Sequence, residues 1–145
     1  LLQLQRTTTT GDRYAIAIGN NEGRNEKNET EINEENKFCY KATCYATTRA
    51  LAERLGIPED RYTVAFQSRL DKKWLTPFSD KVVEERGKAG DKRLLVFSPA
   101  FVADCLETTV EIGEEYVEIF EEDGGEHLDL VRQSRIGCVV RFREQ

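Results

Sequence analysis

Several features that mark other protein classes are missing from this chain of 145 residues. Lysine and arginine number 21 against 27 aspartates and glutamates, which gives a net charge of −6. Because binding to phosphates requires clustered basic residues, this balance argues against a nucleic-acid partner. No apolar run approaches the length of a membrane span, and no secretory signal is visible. We therefore predict a cytoplasmic protein.

Cysteine and histidine are also scarce. The four cysteines form no CxxC pair, and the closest two, Cys39 and Cys44, are separated by four residues. Reduced thiols in an intracellular protein are the preferred interpretation. The only histidine, His127, precedes an apolar run and is predicted to be an ordinary surface residue.

The chain does contain apolar runs that alternate with helical patterns. We predict strands at residues 62–67, 93–98 and 127–131. Alternating strands and helices indicate a parallel sheet with helices on its faces. The predicted fold class is therefore α/β, with a three-layer parallel sheet flanked by helices.

Three helices are predicted between these strands. The first buries one face and stops at Gly56 and Pro58, and the second is capped by Ser79. The third ends at Gly124 and Gly125. Its predicted inward residues are Leu106, Val110, Val117 and Phe120.

The third helix begins in a segment rich in carboxylates. Asp104, Glu107, Glu111 and Glu115 have the spacing of one helix stripe, and Cys105 stands among them. Oxygen ligands attract hydrated divalent ions, and a thiolate favours softer metals. Crowded carboxylates also raise one another's pKa, which suits the acceptance of protons. Alternatively, Asp104 and Glu107 form a capping box, and composition alone favours that interpretation.

Residues 97–112, FSPAFVADCLETTVEI, resemble the metal-side loop and helix of the ferrochelatases, the enzymes that insert iron into a porphyrin. The resemblance extends through YTVAFQSR at 62–69 and WLTP at 74–77, back to YKATCY at 40–45, and covers roughly residues 33–131. It implies a chelatase-like half-domain, a lyase activity in haem biosynthesis, and a porphyrin or other tetrapyrrole held between two such domains. Half-length chelatases build this cleft from two copies, so a homodimer is also implied.

The same resemblance assigns roles to particular residues. Glu107 corresponds to an active-site glutamate that delivers metal or deprotonates the porphyrin, and Asp104 is the second catalytic candidate. The implied metal is Fe²⁺, with Ni²⁺, Zn²⁺ or Co²⁺ as alternatives. The implied metal ligands are Asp104, Cys105, Glu107, Glu111 and Glu115.

A second set of residues is implied to line the porphyrin cleft, namely Gln67, Ser68, Arg69 and Trp74. Trp74 could stack on a macrocycle and Arg69 could bind a propionate. A tryptophan buried against the sheet is an equal alternative. An iron–sulfur cluster, which some bacterial ferrochelatases hold, is not expected, because the cysteines upstream of Cys39 that would complete four ligands are missing.

Both ends depart from the ferrochelatase pattern. The family's His-Gly-Leu-Pro-like signature, whose histidine is central to catalysis, has no counterpart. We therefore predict a truncated or rearranged chain with a divergent N-terminal segment (1–38), a ferrochelatase-like C-terminal domain (39–131) and a divergent basic tail (132–145). The first segment holds a short strand and a mobile Asn/Glu-rich loop. Residues 14–18 or 138–142 could fill the vacant strand position.

Three functions remain open at this point. The first is metal insertion that is weak or lost, since the missing histidine signature weighs against an efficient catalyst. The second is metal binding or sequestration without turnover. The third is a folded fragment with no specific ligand, and the acidic segment favours the second function over it.

Overall fold

The structure is a computed structural model that describes residues 13–20, 31, 33–67, 74–101 and 103–132. Most of the predicted Asn/Glu-rich loop and nearly all of the predicted basic tail lie outside these residues. Within the described part of the chain, no helix is long and apolar enough to cross a membrane.

A four-stranded parallel sheet forms the centre of the fold. Its strands are β1 (Arg13–Asn20), β2 (Tyr62–Gln67), β3 (Arg93–Phe97) and β4 (His127–Leu130), in the order β2-β1-β3-β4. The three predicted strands are confirmed as parallel strands. The vacant position is filled by β1, which contains residues 14–18 and pairs with both β2 and β3. The other candidate for it, residues 138–142, lies outside the described residues.

Helices connect the strands as the sequence predicts. Helix α1 (Tyr40–Leu55) precedes β2 and α2 (Ser79–Lys88) precedes β3. A π-helical segment (Glu107–Glu115) runs directly into α3 (Tyr116–Glu122), which precedes β4. Helix α1 ends as predicted at Gly56, which has a φ of 68°, a left-handed conformation that glycine adopts at little cost.

Both faces of the sheet are covered, so the predicted three-layer α/β architecture is confirmed. On one face, Ile16, Ile18 and Val96 pack against α2 and the helix that follows β3. On the other face, Val64 and Phe66 of β2 pack against Leu75 and against partly buried residues of α1. Close packing on two faces explains why the strands are almost continuously apolar.

Ser79 and Tyr116 connect α2 to α3 inside the core. The two hydroxyl oxygens lie 2.6 Å apart, and both side chains are buried. Ser79 is therefore the first residue of α2 and a core hydrogen-bonding partner, whereas it was predicted to be the cap; the N-cap residue is Phe78. A buried hydroxyl needs a partner, and Tyr116 supplies it.

Because of this pair, the fold is expected to lose stability at alkaline pH. Burial raises the pKa of Tyr116 from 10.0 to about 12. Because the unfolded tyrosine loses its proton first, the stabilisation is complete below pH 10 and is lost as the pH rises through about 12. We expect the unfolding free energy to fall by up to about 3 kcal/mol across this window. Urea melts at stepwise pH values measure the slope.

Tyr116→Phe is the control, because other tyrosines also titrate in this range. The variant should cost about 1–3 kcal/mol at neutral pH by leaving the Ser79 hydroxyl unpaired. It should then show a shallower decline at alkaline pH than the unchanged protein. Equal slopes for the two proteins would contradict the assignment to Tyr116.

The amino ends of the strands are held together by charged groups. Arg61 donates a hydrogen bond of 3.2 Å to the buried carboxylate of Asp91, and Arg86 lies 3.4 Å from the other oxygen of that carboxylate. The Arg86 guanidinium also lies over the Tyr14 ring, 4.4 Å from its centroid. These contacts tie the amino end of β1 to the segments that precede β2 and β3.

Candidate functional site

The carboxyl ends of the parallel strands define the candidate site. Gln67 is the last residue of β2, and the acidic segment follows the end of β3 at Phe97. In parallel sheets these ends lie on one edge, where α/β proteins bind their ligands. The fold therefore brings two of the segments that carry predicted site residues to the same edge of the sheet.

The helix after β3 begins with a hydrogen-bonded turn around Cys105. The backbone N–H of Cys105 donates to the Thr108 hydroxyl at 2.9 Å, and this hydroxyl is 3.4 Å from Asp104 Oδ1. A bond from the third helical residue back to the start of the helix is half of a capping box. The pair that makes a bond of this kind is Cys105 and Thr108, and Thr108 is buried.

Glu107 is held in its charged form. A hydrogen bond from the Cys105 thiol is the largest cause that lowers the pKa of Glu107, and its own backbone N–H adds to the effect. The prediction that crowding would raise the pKa is therefore wrong for Glu107, because hydrogen-bond donors beside the carboxylate stabilise its charged form. A carboxylate that stays ionised is better suited to bind a cation than to accept a proton.

The predicted helix is π-helical over the acidic stripe. Glu107, Glu111 and Glu115 each directly precede a buried residue, namely Thr108, Ile112 and Tyr116. The glutamates therefore run along the border of the buried face. Leu106 was predicted to face inward but is 69% exposed, because the buried row passes through Thr108 instead. π-Helical segments are rare in proteins, and many of those that occur lie at functional sites.

Gln67 connects the sheet to this π-helical segment. Its side chain is 1% exposed, and its Nε2 donates a hydrogen bond of 2.6 Å to Glu111 Oε2. Sequence reasoning missed this contact, although a polar residue at the end of a buried strand signals that a partner is needed. The implied contact between Gln67 and a porphyrin stays a prediction.

The other residues implied to bind the porphyrin are only partly described. Trp74 is half-buried, which leaves both stacking on a macrocycle and packing in the fold open. Ser68 and Arg69 lie outside the described residues.

A cavity of about 170 Å³ lies beside the π-helical segment. Glu111, Glu115 and Asp80 contribute carboxylates to its wall, and sequence reasoning missed Asp80. Its remaining lining residues are Phe66, Phe78, Ser79 and Tyr116. The cavity is smaller than the roughly 300–1,000 Å³ of typical small-molecule pockets. A macrocycle would therefore need a second wall.

The predicted metal ligands do not form a single cluster. Among the described residues, no three His, Cys, Asp or Glu side chains are grouped so that they could hold a metal ion. Asp104, Cys105 and Glu107 lie at the start of the helix, whereas Glu111 and Glu115 line the cavity further along. Any ion at either place would take further ligands from water or from another molecule.

The single histidine lies at the amino ends of the strands, whereas these carboxylates follow the carboxyl end of β3. His127 is the first residue of β4, at the amino edge of the sheet, and its Nε2 is 2.9 Å from Asp129 Oδ1. The prediction of an exposed surface residue is confirmed. Cys44 packs with Val64 and Phe66 of the core rather than facing the acidic segment.

Comparison with known proteins gives one consistent family. A family model described as Ferrochelatase matches residues 13–134. A ferrochelatase of Pseudomonas fluorescens (strain SBW25) is 51% identical over 96 residues, which cover 66% of this chain and 28% of that relative. One from Pseudomonas entomophila (strain L48) is 51% identical over 94 residues, or 64% of this chain and 28% of the relative. The match thus spans less than a third of the length of these relatives.

Proposed function

This chain belongs to the ferrochelatase family, and from that premise we propose that it binds a divalent metal ion at Glu107 and presents it to a porphyrin. Insertion by the chain alone is weak or lost. Hydrogen bonds from the Cys105 thiol and from the backbone N–H of Glu107 lower the pKa of the Glu107 carboxylate, which agrees with a role as an anionic ligand. The position of Glu107, beyond the carboxyl end of β3, agrees with where α/β proteins bind ligands.

The donors near Glu107 suit a borderline transition metal. In sequence, the Cys105 sulfur stands between two carboxylates, Asp104 and Glu107. Because no three such side chains are grouped among the described residues, the proposed metal takes its remaining ligands from water or from the porphyrin. Sulfur favours Fe²⁺, Ni²⁺, Co²⁺ or Zn²⁺ over Mg²⁺ or Ca²⁺, which prefer oxygen. Fe²⁺ is the metal substrate that the family implies. In this proposal the metal displaces the thiol proton, so that Cys105 binds as a thiolate.

The carboxylates further along the helix attract cations toward Glu107. Glu111 and Glu115 continue the row and line the cavity together with Asp80. Clustered charges of one sign raise the local concentration of oppositely charged ions. Glu111 and Glu115 therefore act here as a second place for a hydrated ion, behind the start of the helix.

The porphyrin binds at the same edge in this proposal. Trp74, Arg69 and Ser68 line the macrocycle, and the second wall comes from another copy of the chain or from another polypeptide. The size of the cavity supports the need for that wall, because about 170 Å³ is too small for a tetrapyrrole. A homodimer is the simplest arrangement that supplies it.

Titration of the purified chain with Zn²⁺ and with protoporphyrin tests the proposal. We expect saturable heat release with Zn²⁺, saturable quenching of porphyrin fluorescence, and sedimentation as a dimer when porphyrin is present. Metal binding without porphyrin binding would favour a metal-sequestering protein instead. Failure to bind either ligand would reject the proposal in favour of a folded fragment without a specific ligand.

A further inference from the structure

Gln67 makes a contact that neither stability nor porphyrin binding alone explains. It is 1% exposed, and its Nε2 donates to Glu111 Oε2 at 2.6 Å. Hydrogen bonds to an ionised carboxylate are about twice as strong as neutral ones. The orientation of the amide follows from this partner, since the reversed amide would place two acceptors against each other.

The same amide nitrogen reaches the first turn of the π-helical segment. Gln67 Nε2 lies 3.4 Å from the backbone oxygen of Glu107, which makes this the longer and weaker of its two contacts. One buried amide therefore touches two of the predicted metal ligands. These contacts join the end of β2 to residues 40 and 44 positions further along the chain.

The other end of the amide argues against a purely structural role. Gln67 Oε1 is buried and has no hydrogen-bond partner among the described residues. An unpaired buried polar atom costs about 1–3 kcal/mol, so an apolar side chain of similar length would serve packing better. The amide is explained if what matters is the place where it holds Glu111.

We propose that Gln67 is a positioning residue, which fixes the Glu111 carboxylate and, through the backbone oxygen of Glu107, the π-helical turn that carries the proposed metal ligand Glu107. The inference rests on the proposed function. Partners that orient metal ligands through a hydrogen bond typically contribute 10- to 100-fold to metal affinity.

A double-mutant cycle on Zn²⁺ affinity separates positioning from stability. Gln67→Leu should weaken Zn²⁺ binding about 10- to 100-fold. Glu111→Gln should also weaken it, and Gln67→Leu should add little further loss in that background, because the two residues act through one hydrogen bond. Thr48→Val is the control: it removes a different buried polar group, a hydroxyl on α1 at the other face of the sheet, and should leave Zn²⁺ affinity unchanged.

Each other outcome overturns the inference in a recognisable way. If Gln67→Leu lowers only the melting temperature, or if its effect adds fully to that of Glu111→Gln, Gln67 is structural and the proposed function stands. If the unchanged protein binds no Zn²⁺, the inference and the proposed function fall together. Should Gln67→Leu not fold, Gln67→Asn replaces it in the same cycle, since it keeps the amide but shortens its reach by one methylene.

Discussion

Zinc insertion by this chain alone is expected to be about 100- to 10,000-fold slower than by a full-length relative, such as the ferrochelatase of Pseudomonas fluorescens. That range is what a positioned acid or base typically contributes to a rate. The only histidine of the chain is at the amino edge of the sheet, whereas Glu107 lies beyond the carboxyl edge. Glu107 itself is a weak proton acceptor, because hydrogen bonds lower its pKa.

Poor positioning of the porphyrin adds to the deficit. In the proposed arrangement, the cavity of about 170 Å³ supplies only one wall of the macrocycle site, so the chain alone would not hold the reacting groups in place. The assay compares both proteins at equal concentration, with Glu107→Gln as the blank that defines insertion outside the site. Turnover comparable with that of the full-length enzyme would contradict this prediction.

The fold was predictable because its signals are local. Leu94, Leu95 and Val96 form a continuous apolar run, which indicates a strand covered on both faces. Helix α1 ends at Gly56 as predicted, since glycine adopts the left-handed conformation found there at little cost. The place of β1 between β2 and β3 could not be derived from periodicity, because pairing partners are set by contacts distant in sequence.

The site was harder to predict because its properties arise from contacts between elements. The Gln67–Glu111 hydrogen bond joins residues 44 positions apart. The π-helical segment also moves Leu106 to the surface, and an α-helical stripe does not predict that shift. The lowered pKa of Glu107 depends on a thiol two residues away, whose direction the sequence leaves open.

The second large effect is expected for Glu107→Gln, which should weaken Zn²⁺ binding more than about 100-fold. Loss of an orienting partner alone costs about 10- to 100-fold, and in the proposed site this change removes a negative charge that contacts the metal itself. The helix should be nearly as stable, because glutamine and glutamate have similar helix propensities. Calorimetric titration with Zn²⁺ and thermal melts give the two numbers.

Glu114→Gln is the matched control, since Glu114 is an exposed glutamate of the same π-helical segment that does not line the cavity. It carries the same loss of charge and should leave Zn²⁺ affinity almost unchanged. Asp104→Ala tests the second predicted ligand, because loss of its 3.4 Å contact with Thr108 should affect stability alone, whereas loss of a ligand should also weaken Zn²⁺ binding. If Glu107→Gln and Glu114→Gln bind Zn²⁺ equally well, then non-specific electrostatic attraction by the glutamates of the π-helical segment explains the affinity. Glu107 would in that case be only a residue of the helix start, and neither Glu107 nor the Cys105 thiol would be a metal ligand.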